Sequence, residues 1–190
     1  MVFGPMILSL MLLITSLIHG WQVHPQVESV ELRTGYAFAN NNEDQPTGFQ
    51  TTPLLPSVAV PLTEPIGSGW YRGRIEWNPE LFFGVFSYPY VRPLFGVAPL
   101  QFRYALETGS RWTPYLFGSM GVVHSKVERQ ETGSDFNFLL SAGLGAQYAL
   151  TEHTALLLEY RHIHISNANI DDNNSAIDSH AFLVGVSFKR

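Results

Sequence analysis

Apolar and polar residues alternate along much of this chain with a period of two, the spacing at which successive side chains of an extended strand point to opposite faces. Over 136–149, Phe136, Phe138, Leu140, Leu144 and Tyr148 alternate with Asn137, Ser141, Gly143, Gly145 and Gln147. Over 94–106, Leu100, Phe102, Tyr104 and Leu106 alternate with Gln101 and Arg103, and over 178–188 Phe182, Val184, Val186 and Phe188 alternate with Ala181, Gly185 and Ser187. Further strands are predicted over 28–39, 57–64, 70–77, 113–127 and 153–166, which makes eight. The 57–64 strand is expected to be short, bulged or irregular. Pro53, Pro56, Pro61 and Pro65 bracket it, and each proline removes a ladder donor.

One face of these strands is bulky and apolar, and the other is small or polar. A soluble sandwich would carry more Lys and Glu on its polar face; small residues and glycines suit the inside of a narrow barrel, with the apolar side turned to lipid. The set Arg72, Arg74, Glu76, Arg103, Glu159 and Arg161 argues against a soluble lipid-binding barrel with an apolar interior. The fold expected is all-β, an eight-stranded antiparallel transmembrane β-barrel of the outer-membrane type. Composition supports it, with 13% aromatic and 14% charged residues and 16 glycines in 190 residues.

The uncharged run from Met6 to Ile18 is short for a membrane-spanning helix and reads as a secretory signal, with an uncleaved anchor or a buried helix as the alternative. The domain plan is therefore a signal peptide over 1–20 and a barrel over 21–190. There is no cysteine, so neither a thiolate nucleophile nor a disulfide framework is available. A net charge of -5 argues against a nucleic-acid partner.

Candidate chemistry lies in the stretch from Leu156 to Asp178. His164 and Ser166 are two residues apart and so share a face, the same face as Leu158 and Tyr160, while Glu159 and Arg161 take the other. A hairpin centred near Asp171 places Asp178 across from His164, with Cβ atoms about 5 Å apart. Serine, histidine and aspartate then meet on the outside of the barrel in the order that nucleophilic catalysis needs. The backbone of Asn167, Ala168 and Asn169, turning out of the strand, could supply oxyanion donors. Two other readings stay open: a strand end near the headgroups whose polar residues need no function, and a metal site, since His162, His164, Asp178 and His180 share the outward parity.

The run Glu159-Tyr160-Arg161-His162, followed by His164-Ile165-Ser166-Asn167-Ala168, then Asn174, Asp178 and a strand ending Gly185-Val186-Ser187-Phe188, resembles the lipid A 3-O-deacylase family (PagL-type, acyloxyacyl hydrolase-like). Asp135-Phe136-Asn137-Phe138 and Gly143-Leu144-Gly145 extend the resemblance, which is densest over 115–188 and weaker over 70–103. It implies an outer-membrane barrel of a Gram-negative bacterium that hydrolyses the ester at the 3-position of lipid A. Ser166 would be the nucleophile, His164 the general base and acid, and Asp178 the orienting carboxylate, with Asn167 and Asn174 near the oxyanion site. It also implies lipid A, or lipopolysaccharide, as the substrate, outer-membrane lipid as the surroundings, a homodimer, and no metal or other cofactor. The chain departs from the family in Asn169, where glycine is usual, in Asn174-Ser175-Ala176 for Asn-Pro-Gly, and in aspartate for glutamate at Asp178. A non-catalytic structural or adhesive eight-stranded outer-membrane barrel is the alternative that the loss of the glycine and Pro-Gly positions favours.

Overall fold

The computed structural model describes residues 26–39, 48–88, 91–125, 134–170 and 176–190; the signal-peptide expectation over 1–20 lies outside them. Nine antiparallel strands form one closed sheet: β1 (Ser29–Ala39), β2 (Gln50–Pro61), β3 (Gly73–Trp77), β4 (Glu80–Tyr88), β5 (Arg92–Leu106), β6 (Trp112–Ser125), β7 (Phe136–Ala149), β8 (Thr154–Ser166) and β9 (Ile177–Lys189). Apart from β3 and β4, which both pair with β2 and β5 and not with each other, each strand pairs with its sequence neighbours around the ring, and β1 closes it by pairing with both β2 and β9. No helix among the described residues is long and apolar enough to cross a membrane. The long strands exceed the roughly 9–11 tilted residues that a bilayer requires.

The nine strands make eight staves, because β3 and β4 are two lengths of the third. Both pair with β2 and with β5, and Glu76, Asn78 and Glu80 all point inward across the break. Proline cannot donate at Pro79, and Asn78 covers the interruption. Its backbone N–H donates to the Gln101 carbonyl at 2.8 Å, its Nδ2 to the Val58 carbonyl at 2.6 Å, and its Oδ1 accepts from Gln101 Nε2 at 3.1 Å.

Two strand expectations need correction. The second strand runs over 50–61 rather than 57–64, and its prolines interrupt the ladders on alternate sides instead of ending the strand. Pairing with β1 skips Thr52 and Pro53, where Thr34 Oγ1 donates to the Pro53 carbonyl at 2.8 Å, and pairing with β4 skips Leu55 and Pro56. The third stave also continues through β4, which the alternation did not predict. Leu81, Phe82, Phe83, Val85 and Phe86 are apolar on both faces, so no period of two is visible there.

The outward parity matches expectation: Leu100, Leu116, Leu144, Phe182 and Val184 are among many large apolar side chains left exposed. The lumen is not uniformly polar, however. Towards the rim where β8 ends, it is filled by Phe49, Phe82, Phe86, Leu94, Val123, Leu139, Ile163, Ile165 and Ile177. Burying Ile163 and Ile165 at about 1.5–3 kcal/mol each fixes the parity of β8 and so turns His164 and Ser166 outward.

The other half of the lumen is a charge network. Arg33 pairs with Glu159 at 2.7 Å and Glu80 at 3.1 Å, Arg161 with Glu80 at 2.7 Å and Glu159 at 2.5 Å, and Arg103 with Glu31 at 2.9 Å and Glu76 at 2.6 Å. Tyr115 donates to Glu159 at 2.8 Å, and Arg103 and Arg161 stand 4.9 Å over the Tyr115 and Phe117 rings. A Cβ at Gly145 or Gly143 would run into those rings, which is why β7 carries glycine at these two inward positions.

Removing one member of a buried ion network leaves its partners charged and unpaired, at a cost of about 3–5 kcal/mol. Glu159→Leu strips a carboxylate from both Arg33 and Arg161 and the acceptor from Tyr115. It should lower the urea midpoint of the barrel in detergent micelles sharply. An unchanged midpoint would mean that the network carries no stability.

Candidate active site

The last residues of β8 stand at the rim opposite the chain ends, and the pairing of β8 with β9 sets His164 directly across from Asp178. This is the register expected from a hairpin centred on Asp171. Ile163 and Ile165 point inward between them, so the polar side chains share the outer wall.

There the three candidate residues touch in series. His164 Nε2 lies 3.0 Å from Ser166 Oγ, and His164 Nδ1 lies 2.8 Å from Asp178 Oδ1. With Nδ1 protonated and donating to the carboxylate, Nε2 is left to accept the serine proton. Ser166 is only 8% exposed despite its outward parity, while the His164 side chain is 34% and the Asp178 side chain 46% exposed. The hydroxyl is partly sheltered, and the acid stands at the surface.

Asn167 is buried, and Ala168 and Asn169 turn the chain away from the barrel with left-handed backbone, φ 55° and 60°. Ile170 N–H donates to the Asn167 carbonyl at 3.2 Å and closes this turn. The three proposed oxyanion positions are therefore consecutive with the serine at the start of the loop. Asn174, the fourth, lies outside the described residues, as do Asp171 and Asp172.

Ala176, entering β9, is also left-handed at φ 59°. Alanine holds that conformation at a cost of roughly 1 kcal/mol, which glycine would not incur. Ala176→Gly should raise thermal stability by about that amount, read as a higher urea midpoint. A fall would show that the backbone strain is outweighed by contacts of the methyl group.

The outward row one step further from the rim holds His162 and His180, which face each other across the β8–β9 ladder. His162 Nε2 lies 3.3 Å from Asp178 Oδ1, and His180 Nδ1 lies 2.7 Å from Tyr160 Oη. Among the described residues no group of three His, Cys, Asp or Glu side chains converges to hold a metal ion. Parity alone placed His162 and His180 on this wall. Their partners needed the register.

Below these rows an open apolar groove of about 420 Å³ runs along the same wall, lined by Leu144, Leu158, Tyr160, Phe182 and Val184 among others. The groove offers apolar surface beneath Ser166, His164 and Asp178.

Residues 67–187 match the family described as lipid A 3-O-deacylase (PagL). Among solved structures, that of the outer membrane enzyme PagL superposes with a TM-score of 0.62 at 20% identity, covering 83% of this chain and 97% of that one. Neisserial surface protein A superposes with a TM-score of 0.54 at 18% identity, covering 85% and 96%. In sequence, the outer membrane protein PagN of Salmonella typhimurium is 27% identical over 88 residues, which is 40% of this chain and 37% of PagN. The match thus spans little more than a third of that relative. These likenesses set the chain in the outer membrane of a Gram-negative bacterium; barrels of this kind keep their short turns periplasmic, an orientation that would turn the Ser166 rim towards the cell surface. With 67–187 covering most of the barrel, the chain belongs to the lipid A 3-O-deacylase (PagL) family.

Proposed function

We propose that this chain is a serine esterase of the outer membrane that hydrolyses the 3-O-linked acyl ester of lipid A. The observation that carries the reading is the contact series Ser166–His164–Asp178 on the outer wall near the cell-surface rim. The ester of a lipid in the outer leaflet lies at the boundary between headgroup and hydrocarbon. A triad on the lipid-facing wall at that depth meets it by lateral diffusion, and the acyl chain lies towards the apolar groove.

In this mechanism Ser166 Oγ attacks the ester carbonyl as His164 Nε2 takes its proton, and Asp178 stabilises the imidazolium that forms. The backbone N–H groups of the Asn167, Ala168 and Asn169 turn, with Asn174, receive the negative charge on the carbonyl oxygen. Collapse breaks the bond to the sugar oxygen, which leaves with the proton from His164. Water, deprotonated by His164, then releases the fatty acid from Ser166. Residues 1–20 serve as the secretory signal, and the protein works as a homodimer.

A structural or adhesive barrel would have no use for a hydroxyl, an imidazole and a carboxylate in series on its lipid face, where polar groups disfavour insertion. Mass spectrometry of lipid A from cells making the chain should show loss of one acyl group, with amide-linked chains retained. Unaltered lipid A in cells that hold the folded barrel would overturn the proposal.

A further inference from the structure

The wall that carries Ser166, His164 and Asp178 carries a second imidazole on the same carboxylate. His162 Nε2 stands 3.3 Å from Asp178 Oδ1, the oxygen that already receives His164 Nδ1 at 2.8 Å. His162 is not a packing residue, since its side chain is 47% exposed on a face turned to lipid. A polar group there disfavours insertion unless something compensates. Among the described residues the other titratable groups around it are His164 and Tyr160 on its own strand and Asp178 and His180 on β9; β7 sets Ala142 opposite. His180 is itself held, with its Nδ1 at 2.7 Å from Tyr160 Oη and its ring 5.2 Å from that of His162. His162 therefore has a fixed neighbour on one side and the triad carboxylate on the other.

We propose that His162 is a positioning residue for the acid of the triad: it holds the Asp178 carboxylate in place, and so acts on His164 through Asp178. The proposal rests on the esterase reading above. Asp178 is about half exposed at the edge of the bilayer, where little water is available to solvate a carboxylate and one aspartate side chain can swing away from its histidine. A second imidazole nitrogen 3.3 Å from Oδ1 opposes the swing. The benefit grows as His164 becomes positive, because the fixed carboxylate is then the counter-charge. The loss on removing His162 should therefore fall on kcat, with KM unchanged.

The test uses the full-length barrel refolded in lipid–detergent micelles, with lipid A as substrate. His162→Phe keeps a flat ring that suits lipid and removes the donor. It should lower kcat about ten-fold, the scale of one polar contact to a charged group, and leave KM within about two-fold. His162→Gln, whose amide nitrogen can stand near the position of Nε2, should recover most of the lost rate. In an Asp178→Asn background, His162→Phe should change the residual rate by less than about two-fold, because a residue that acts through Asp178 has nothing left to act on. Heat-modifiable migration on cold gels verifies folding of each variant, with His162→Ala replacing the phenylalanine variant if that one fails. Full kcat in folded His162→Phe, or an equal loss in the Asp178→Asn background, would overturn the proposal. Activity surviving in Ser166→Ala would instead remove the esterase reading beneath it, so the two failures are distinct.

Discussion

Ser166→Ala is expected to abolish release of the 3-O acyl chain while the barrel stays folded. The hydroxyl is the only group in the contact series that can form the acyl intermediate, and no cysteine is present to replace it. What remains after its loss is substrate binding and the oxyanion donors. In triad enzymes these leave a small residual acceleration over water, and the loss from removing the nucleophile is on the order of 10⁶-fold. Stability should barely change. Among the described residues Ser166's side chain makes one hydrogen bond, to a partly exposed histidine, and such a bond is worth about 0.5–1.5 kcal/mol. Lipid A mass spectra from cells making wild type and variant at equal barrel levels would decide the matter. Deacylation that persists in the variant would move the chemistry away from this wall altogether.

The second large effect should come from Asp178→Asn. The carboxylate accepts from His164 Nδ1 at 2.8 Å, which forces the tautomer whose Nε2 can accept the serine proton. An asparagine amide can donate to Nδ1, which places the imidazole proton on Nε2 and aims a donor at Ser166. The same exchange in a trypsin-type triad lowers turnover about 10⁴-fold with the geometry intact, and a loss of that order is expected here. Asp178→Glu should keep substantial activity, since the acid is about half exposed at the end of a strand and one added methylene has room to turn. Steady-state turnover of the purified variants measures both. An Asp178→Asn barrel with wild-type turnover would show that His164 is oriented by another group and would remove His162 from the mechanism as well.

The two variants also separate the roles on the wall. Ser166→Ala removes a bond-forming atom, so no pH or background restores activity. Asp178→Asn leaves the nucleophile in place and impairs the proton acceptor His164; in that background His162, which acts through Asp178, should have nothing left to act on.

Much of the site was legible in the chain because a strand repeats every two residues. Once Glu159 and Arg161 are read as lumen residues, His162, His164 and Ser166 have no choice but the outer wall. The contact between His164 and Asp178 followed from one further assumption, that the hairpin turns about Asp171, and the register bears it out. The same logic failed where its premise failed. In β4 phenylalanines stand on both faces because that half of the lumen is itself apolar, so the strand shows no alternation to detect. In β2 the prolines argued for a short, bulged or irregular strand; it is irregular, with a register shift at Gln50/Thr51, but at 12 residues it is not short. A closed barrel instead offers two neighbouring ladders, and each proline breaks only one of them at a time.

The sequence by itself therefore determined the class of fold, the inward or outward parity of most strands, and the three residues that meet at the rim, all of which depend on spacing along one strand or one hairpin. Only the tertiary structure decided the rest. Arg33 meets Glu159 across 126 residues, and Arg103 meets Glu31 across 72; no local pattern selects these partners among the charges that share the lumen. Whether Asp178 Oδ1 serves one histidine or two likewise turned on strand twist and rotamer, since the hairpin register set only His164 across from Asp178 and the folded distances, 2.8 Å from His164 and 3.3 Å from His162, bring both imidazoles to that oxygen. Periodicity fixes a direction for each side chain; closing the sheet into a ring fixes what it meets there.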